Sequence, residues 1–189
     1  RSETVLPLSN TVLRQSIIKF RVRLILKGHE DGVRSAAYSP DGDRIVTASE
    51  DKTAKVWDAQ TGTELMTLTG HDGPVYSTAW SSDGQQIVTG SYDQTVKVWD
   101  AKTGKELFTL KGHDGPVGSA MYSPDGHRIV ASYQKTAKMW DANTGQELIT
   151  LKGRDHMVTS AAYSADSARI VTASLDSTAK VWEAVTGKE

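Results

Sequence analysis

A block of about 42 residues is written four times along this chain. Trp57-Asp58 and Trp99-Asp100 stand 42 residues apart, Trp140-Asp141 follows after 41, and Trp182-Glu183 after another 42. Between these marks the text nearly repeats. "GHEDGVRSAAYSPDGDRIV" begins at residue 28, "GHDGPVYSTAWSSDGQQIV" at 70, "GHDGPVGSAMYSPDGHRIV" at 112 and "GRDHMVTSAAYSADSARIV" at 153. A fixed period of this size means one supersecondary unit that cannot bury its apolar surface alone and stacks on copies of itself.

Inside one unit the period is two, which is the period of strands. The second unit predicts strands over 74–81, 86–91, 95–100 and 106–110, divided by turns at 82–85, 92–94 and 101–106. Asp83-Gly84 supplies the side-chain cap and backbone freedom that a hairpin needs. Gly and Pro recur too often for a long helix. The expected fold class is all-β, a β-propeller of four-stranded antiparallel blades with four blades in the chain. The repeats run over about 28–68, 70–110, 112–151 and 153–189. Residues 23–27, "RLILK", match the end of "ELFTLK" at 106–111 and read as an orphan outer strand of a preceding blade. The text closes on "AVTGKE", where a fourth strand of the last blade would begin. The two features are complementary, so two chains lending edges to each other, and closing an eight-bladed ring, is the leading expectation. Further blades elsewhere in a longer polypeptide, or a strained ring of four, are the alternatives.

Charge and composition narrow the partners. The net charge is −1, which argues against nucleic acid, whose binding needs a clustered positive field. Residues 1–27 carry six of the 22 Lys and Arg but one of the 23 Asp and Glu. This stretch reads as a solvated leader or linker over 1–22. Val12, Leu13, Ser16, Ile17 and Phe20 also fall near helical spacing there. There is no cysteine, so no disulfide scaffold and no thiolate chemistry, which fits a cytoplasmic setting. No apolar run is long enough to cross a bilayer, and the leader lacks the features of a secretory signal.

Gly-His followed by Trp-Asp, with SPDG and S-x-D-x-T between them, resembles the WD-repeat β-propeller family over residues 23–189. The resemblance implies a hydrogen-bonded tetrad of His, Asp, Ser or Thr, and Trp inside each blade. In the first blade these are His29, Ser49 (or Thr47), Asp51 and Trp57. In the second they are His71, Ser91 (or Thr89), Asp93 and Trp99. The third keeps His113, Ser132 and Trp140, with Gln134 in the acid's place and one strand residue missing. The fourth keeps Ser174, Asp176 and Trp182, with Arg154 in place of histidine and poised to pair with Asp176. A partly buried carboxylate needs such partners.

Ser, His and Asp are also the residue types of acyl-transfer catalysis. A motif present in every unit fits a structural rivet better than a single active site, and no hydroxyl sits on a nucleophile elbow. No catalytic residue, cofactor or metal site is expected. His127 and His156 fall outside the pattern and lack metal-ligand spacing. Positions that differ among the four units mark a working surface instead. Arg34, Tyr76, Tyr92 and Tyr133 are the expected partner-binding residues at one mouth of the ring, being typical interface anchors. The expected function is a non-catalytic protein–protein interaction scaffold or sensor module of a larger signalling protein, self-associating, with no nucleic-acid or membrane partner. The alternative is a small-ligand or enzymatic site in the central channel, whose first strands offer mostly Ser and Ala.

Overall fold

The computed structural model describes residues 23–112 and 115–189. The leader 1–22, with its helical expectation, and His113 lie outside the described residues. The first unit forms β1 (Val33–Tyr38), β2 (Arg44–Ser49), β3 (Ala54–Asp58) and β4 (Glu64–Leu68). The second forms β5 (Val75–Trp80), β6 (Gln86–Ser91), β7 (Val96–Asp100) and β8 (Glu106–Leu110). The third forms β9 (Val117–Tyr122), β10 (Arg128–Tyr133), β11 (Thr136–Asp141) and β12 (Glu147–Leu151). The fourth has three strands, β13 (Val158–Tyr163), β14 (Arg169–Ser174) and β15 (Ala179–Glu183). Every sheet is an antiparallel meander in chain order. The strands of the second unit lie within one residue of their predicted bounds, and no helix occurs among the described residues.

The β1–β2 turn explains why Ser, Asp and Gly recur at one spacing. Ser39 Oγ donates to Asp41 Oδ1 at 2.5 Å and accepts from Arg44 N at 2.9 Å, while Gly42 N closes on the Ser39 carbonyl. Gly42 sits at φ 78, a region that costs a residue with a Cβ. The fourth unit has Ser167 there at φ 59, and its Oγ accepts a hydrogen bond from Asp125 N of the third sheet at 3.0 Å. The departure from glycine thus makes a bond between blades.

Alternation decides which faces meet. Trp80, Ile87 and Trp99 of the second sheet bury against Val46, Val56 and Leu68 of the first. Tyr122, Ile129 and Trp140 bury against Val88, Val98 and Leu110, and Ile170 and Trp182 against Val130, Met139 and Leu151. Arginines bolt across the first and third of these seams, and at the second Gln86 accepts from Tyr122 Oη at 3.0 Å. Arg44 stacks 4.6 Å over the Trp80 ring and donates to the carbonyls of Ala101 (2.9 Å) and Gly84 (3.2 Å). Arg128 lies 5.7 Å from the Tyr163 ring and donates to the carbonyls of Ala184 and Ser167.

The two end faces have no such cover among the described residues. Val33 and Tyr38 are 53% and 66% exposed, whereas Val75, Val117, Trp80 and Tyr122 at the same positions are buried. At the other end Val171 and Val181 are 41% and 52% exposed, whereas Val46, Val88, Val56 and Val98 are buried. Residues 23–27 form no ladder with any of the described strands, and the blade to which the expected orphan outer strand would belong is not among them. Their side chains nevertheless occupy an outer-strand place. Leu26 and Leu24 lie 3.5 and 3.6 Å from where a Cβ on Gly62 would stand, as Met66 and Leu68 do at Gly104.

Candidate functional site

The second blade contains a buried relay of four side chains. Trp99 Nε1 donates to Thr89 Oγ1 at 2.8 Å, and Thr89 Oγ1 lies 2.8 Å from His71 Nε2. His71 Nδ1 lies 2.7 Å from Asp93 Oδ2. An indole only donates, so the threonine proton goes to Nε2 and the Nδ1–H goes to the carboxylate. Thr95 Oγ1 donates to Asp93 Oδ1 at 2.6 Å, and Asp72 N donates to Oδ2 at 3.0 Å. The first blade repeats the arrangement through Trp57, Thr47, His29 and Asp51, at 2.8, 2.7 and 2.7 Å.

The bridging hydroxyl is therefore Thr47 and Thr89, not Ser49 and Ser91. Thr47 and Trp57 stand on adjacent strands, with the threonine opposite Lys55, and their side chains meet on one face. The serines lie two residues on, as the last residues of β2 and β6. Ser91 Oγ donates to the Pro74 carbonyl at 2.9 Å and accepts from Asp93 N at 3.1 Å. Ser49 Oγ does likewise with the Asp31 carbonyl and Asp51 N. Ser174 repeats this with the His156 carbonyl and Asp176 N. The serines seat the turn that carries the acid.

The third blade is built differently. The missing residue comes out of the turn, not the strand. Tyr133 pairs directly with Thr136, leaving only Gln134 and Lys135 between β10 and β11. Register then puts Ala131 opposite Lys138, as Thr89 stands opposite Lys97, so this blade has no threonine hydroxyl at the bridging place. Ser132 falls opposite Ala137, and its buried Oγ has no hydrogen-bond partner among the described residues, so it does not serve as the bridge. In the fourth blade Arg154 fills the imidazole's place. Its Nη2 donates to Thr172 Oγ1 and its Nη1 to Thr178 Oγ1, both at 2.6 Å, and Nη1 lies 3.5 Å from Asp176 Oδ2. Trp182 Nε1 still donates to Thr172 Oγ1 at 2.9 Å.

Electrostatics follow from these bonds. Burial pushes the His71 imidazole below its usual range, against the smaller upward pull of Asp93. Burial alone would raise the Asp51 and Asp93 carboxyls. Hydrogen bonds from Thr53 and His29, and from Thr95 and His71, outweigh it and hold both well down. Asp176 is lowered to about 2, first by the Thr178 hydroxyl and in smaller part by Arg154.

Thr, His and Asp in hydrogen-bonded sequence have the connectivity of a catalytic triad. Their placement serves another end. Thr89 is fully buried, its oxygen is occupied by the Trp99 N–H, and the arrangement occurs in two blades. A nucleophile has to reach substrate, and this hydroxyl faces only indole and imidazole. Among the described residues no group of three or more His, Cys, Asp or Glu is placed to hold a metal ion. His156 Nδ1 accepts a hydrogen bond from Met157 N.

The expected partner-binding residues divide. Arg34 pairs with Glu50 through Nε and Nη2, and its guanidinium lies 5.9 Å from the Tyr76 ring. Tyr76 meets Tyr92 edge to face at 6.0 Å. A shallow hollow lined by Arg34, Tyr76 and Gly118 adjoins them. Tyr133 does not join this patch. It is 4% exposed, because the shortened turn draws it into β10 as the last strand residue.

Two further sets of residues went unread in the sequence. The threonine that clamps the acid, Thr53, Thr95 or Thr178, was visible in the S-x-D-x-T text. The second set is a cross-strand trio on the outer edge. Lys55 Nζ donates to Glu64 (2.9 Å) and Thr67 (2.9 Å), and Lys97 to Glu106 (2.8 Å) and Thr109 (2.9 Å). Its signal is Lys, then Glu nine residues on, then Thr three further.

Comparison with known proteins places the architecture. The family model described as "WD domain, G-beta repeat" matches residues 20–58, 62–100, 104–141 and 145–183. Periodic tryptophan protein 2 of Saccharomyces cerevisiae is 58% identical over 41 residues, 22% of this chain and 4% of that protein. A ribosome biogenesis protein BOP1 homolog of Drosophila grimshawi is 44% identical over 45 residues, 24% of this chain and 6% of that protein. Vegetative incompatibility protein HET-E-1 of Podospora anserina is 50% identical over 38 residues, 20% of this chain and 3% of that protein. The chain thus spans a small fraction of these relatives, about one repeat in each. Four blades in meander order, a repeated Trp-to-Thr bond and four consecutive family matches agree, and the chain belongs to the WD domain, G-beta repeat family.

Proposed function

We propose that this chain is a non-catalytic protein-interaction scaffold whose working surface is the rim patch of Arg34, Glu50, Tyr76 and Tyr92. One observation carries the reading: an exposed arginine bracketed by a carboxylate and the half-buried ring of Tyr76, continuous with the exposed Tyr92, where the four units differ from one another. Tyr and Arg at a rigid rim supply contact area at low entropic cost. The tetrads beneath hold the turns that present them. Finer parts of the proposal are self-association of the chain and service within a larger cytoplasmic signalling protein. The relatives carry names from ribosome biogenesis and from vegetative incompatibility, and what they have in common with this chain is a repeat, which supports a scaffold over any one pathway.

The test is Tyr76→Ala combined with Tyr92→Ala. The double variant should lose a protein partner captured by the wild type while keeping its melting temperature. Retention of that partner at full strength, or turnover by the wild type in a hydrolase panel, would overturn the reading.

A further inference from the structure

We propose that the two open faces of the blade stack bind each other head to tail between two copies of this chain, giving a closed assembly of eight blades. The inference rests on the self-association part of the proposed function and is independent of the rim patch. The molecule repeats one interface three times internally, and its two end faces are the unmatched halves of that interface. The front of the first sheet offers Val33, Tyr38 and Ile45, at the positions of Val75, Trp80 and Ile87. The rear of the fourth offers Val171 and Val181, at the positions of Val46 and Val56. The internal seams bury the residues at these positions, whereas the end faces expose Val33, Tyr38, Val171 and Val181 and leave Ile45 half-buried. Continuity with a seam already formed three times identifies the occupant as a fourth-blade rear face, which a second copy supplies.

The polar bolts are matched as well. Arg169 stands where Arg44 and Arg128 stand, and it is exposed. Arg44 uses the Trp80 ring and the carbonyls of Ala101 and Gly84. The corresponding groups on the open front are the ring of Tyr38 and the carbonyls of Ala59 and Gly42. Arg169 of one copy therefore stacks on Tyr38 of the other and donates to Ala59 and Gly42.

The strand count points the same way. β15 is the outer strand of a three-stranded sheet, and its free edge is unpaired among the described residues. In the first blade Ala54, Lys55 and Val56 pair with Leu68, Thr67 and Met66. The same register sets Ala179, Lys180 and Val181 of one copy against Leu26, Ile25 and Leu24 of the other. Leu24 and Leu26 already flank a cleft of about 900 Å³ with Tyr38, Ile45 and Ala59, where the incoming face would seat. Two copies make eight blades, within the usual range of closed propellers, whereas three make twelve.

Light scattering coupled to size-exclusion chromatography of the 189-residue chain tests this. The expected species has twice the chain mass of 20.5 kDa. Val171→Asp and Tyr38→Asp each place a charge on a face that is open in the single copy, so each should stay folded by circular dichroism and run at the single-chain mass. Mixing the two variants should restore the double mass through the one seam whose faces are both intact, the front of the Val171→Asp copy against the rear of the Tyr38→Asp copy. A wild type at single-chain mass, a Val171→Asp variant that still dimerises, a mixture that fails to rescue, or a ladder of larger species would each overturn the proposal. The Tyr76→Ala, Tyr92→Ala variant should dimerise like the wild type, so loss of rim binding and loss of the ring are read separately.

Discussion

Trp99 Nε1 donates to Thr89 Oγ1 at 2.8 Å across ten residues of chain, and that one oxygen is shared with His71 Nε2 at 2.8 Å. Removing it strands two buried groups at once. Thr89→Val keeps the shape and should destabilise the chain by about 2–3 kcal/mol, since an unsatisfied buried donor or acceptor costs about 1–3 kcal/mol. Ser91→Ala removes a turn-seating hydroxyl and should cost about 1 kcal/mol less. Urea unfolding of the two variants ranks them. A larger loss for Ser91→Ala than for Thr89→Val would show that the serine, not the threonine, is the bridge.

Stability should fall with acid. An imidazole in the unfolded chain titrates near 6.5. Burial holds His71 lower than that in the folded state. The unfolded chain then binds more protons just below that value, so the His71 contribution is full above about pH 7 and is lost as pH falls below about 6.5 toward the lowered folded-state value. Asp51 and Asp93, held low in the folded state, add a second loss as pH falls below about 4. Melting temperature measured from pH 8 to 3 should decline in these two stages. A flat profile between pH 7.5 and 5.5 would contradict a neutral buried His71.

Gly90 lets two sheets approach. A Cβ there would stand 2.7 Å from both Ser77 Oγ and Val117 Cγ1, so those two side chains would have to shift. Gly90→Ala should cost about 1–3 kcal/mol by overpacking. The control is Gly84→Ser, which copies the natural Ser167 of the fourth unit. A Cβ at residue 84 would approach nothing closer than 3.5 Å, so the loss there is confined to backbone strain. Thermal melts compare the two.

Arg154 is buried with four hydrogen-bond donations to Thr172 and Thr178. Arg154→Ala should lower the melting temperature by several degrees, because Thr172, Thr178 and the Asp176 carboxylate each lose one partner and the buried side-chain volume is left empty. Arg154→His, which copies the first two blades, should recover part of that loss. Thermal melts followed by circular dichroism rank the wild type and the two variants.

The period, the strand bounds and the recurring His, Asp and Trp were legible from the text alone, because side-chain alternation and turn chemistry are local and each unit restates the others. Which hydroxyl joins them was not. Ser49 and Thr47 are both buried and two residues apart, and only cross-strand register decides that the threonine meets Trp57. The third unit shows the same limit: a one-residue deletion reads as a shortened strand, but strand pairing keeps β10 whole and shortens the turn, which buries Tyr133 and puts Ala131 at the bridging place. The amino-acid order thus determined four like blades and the internal bolts of two of them. Tertiary packing decided which faces were covered and which were left open, because burial of Val33 or Val171 depends on a neighbouring sheet and on nothing within its own repeat.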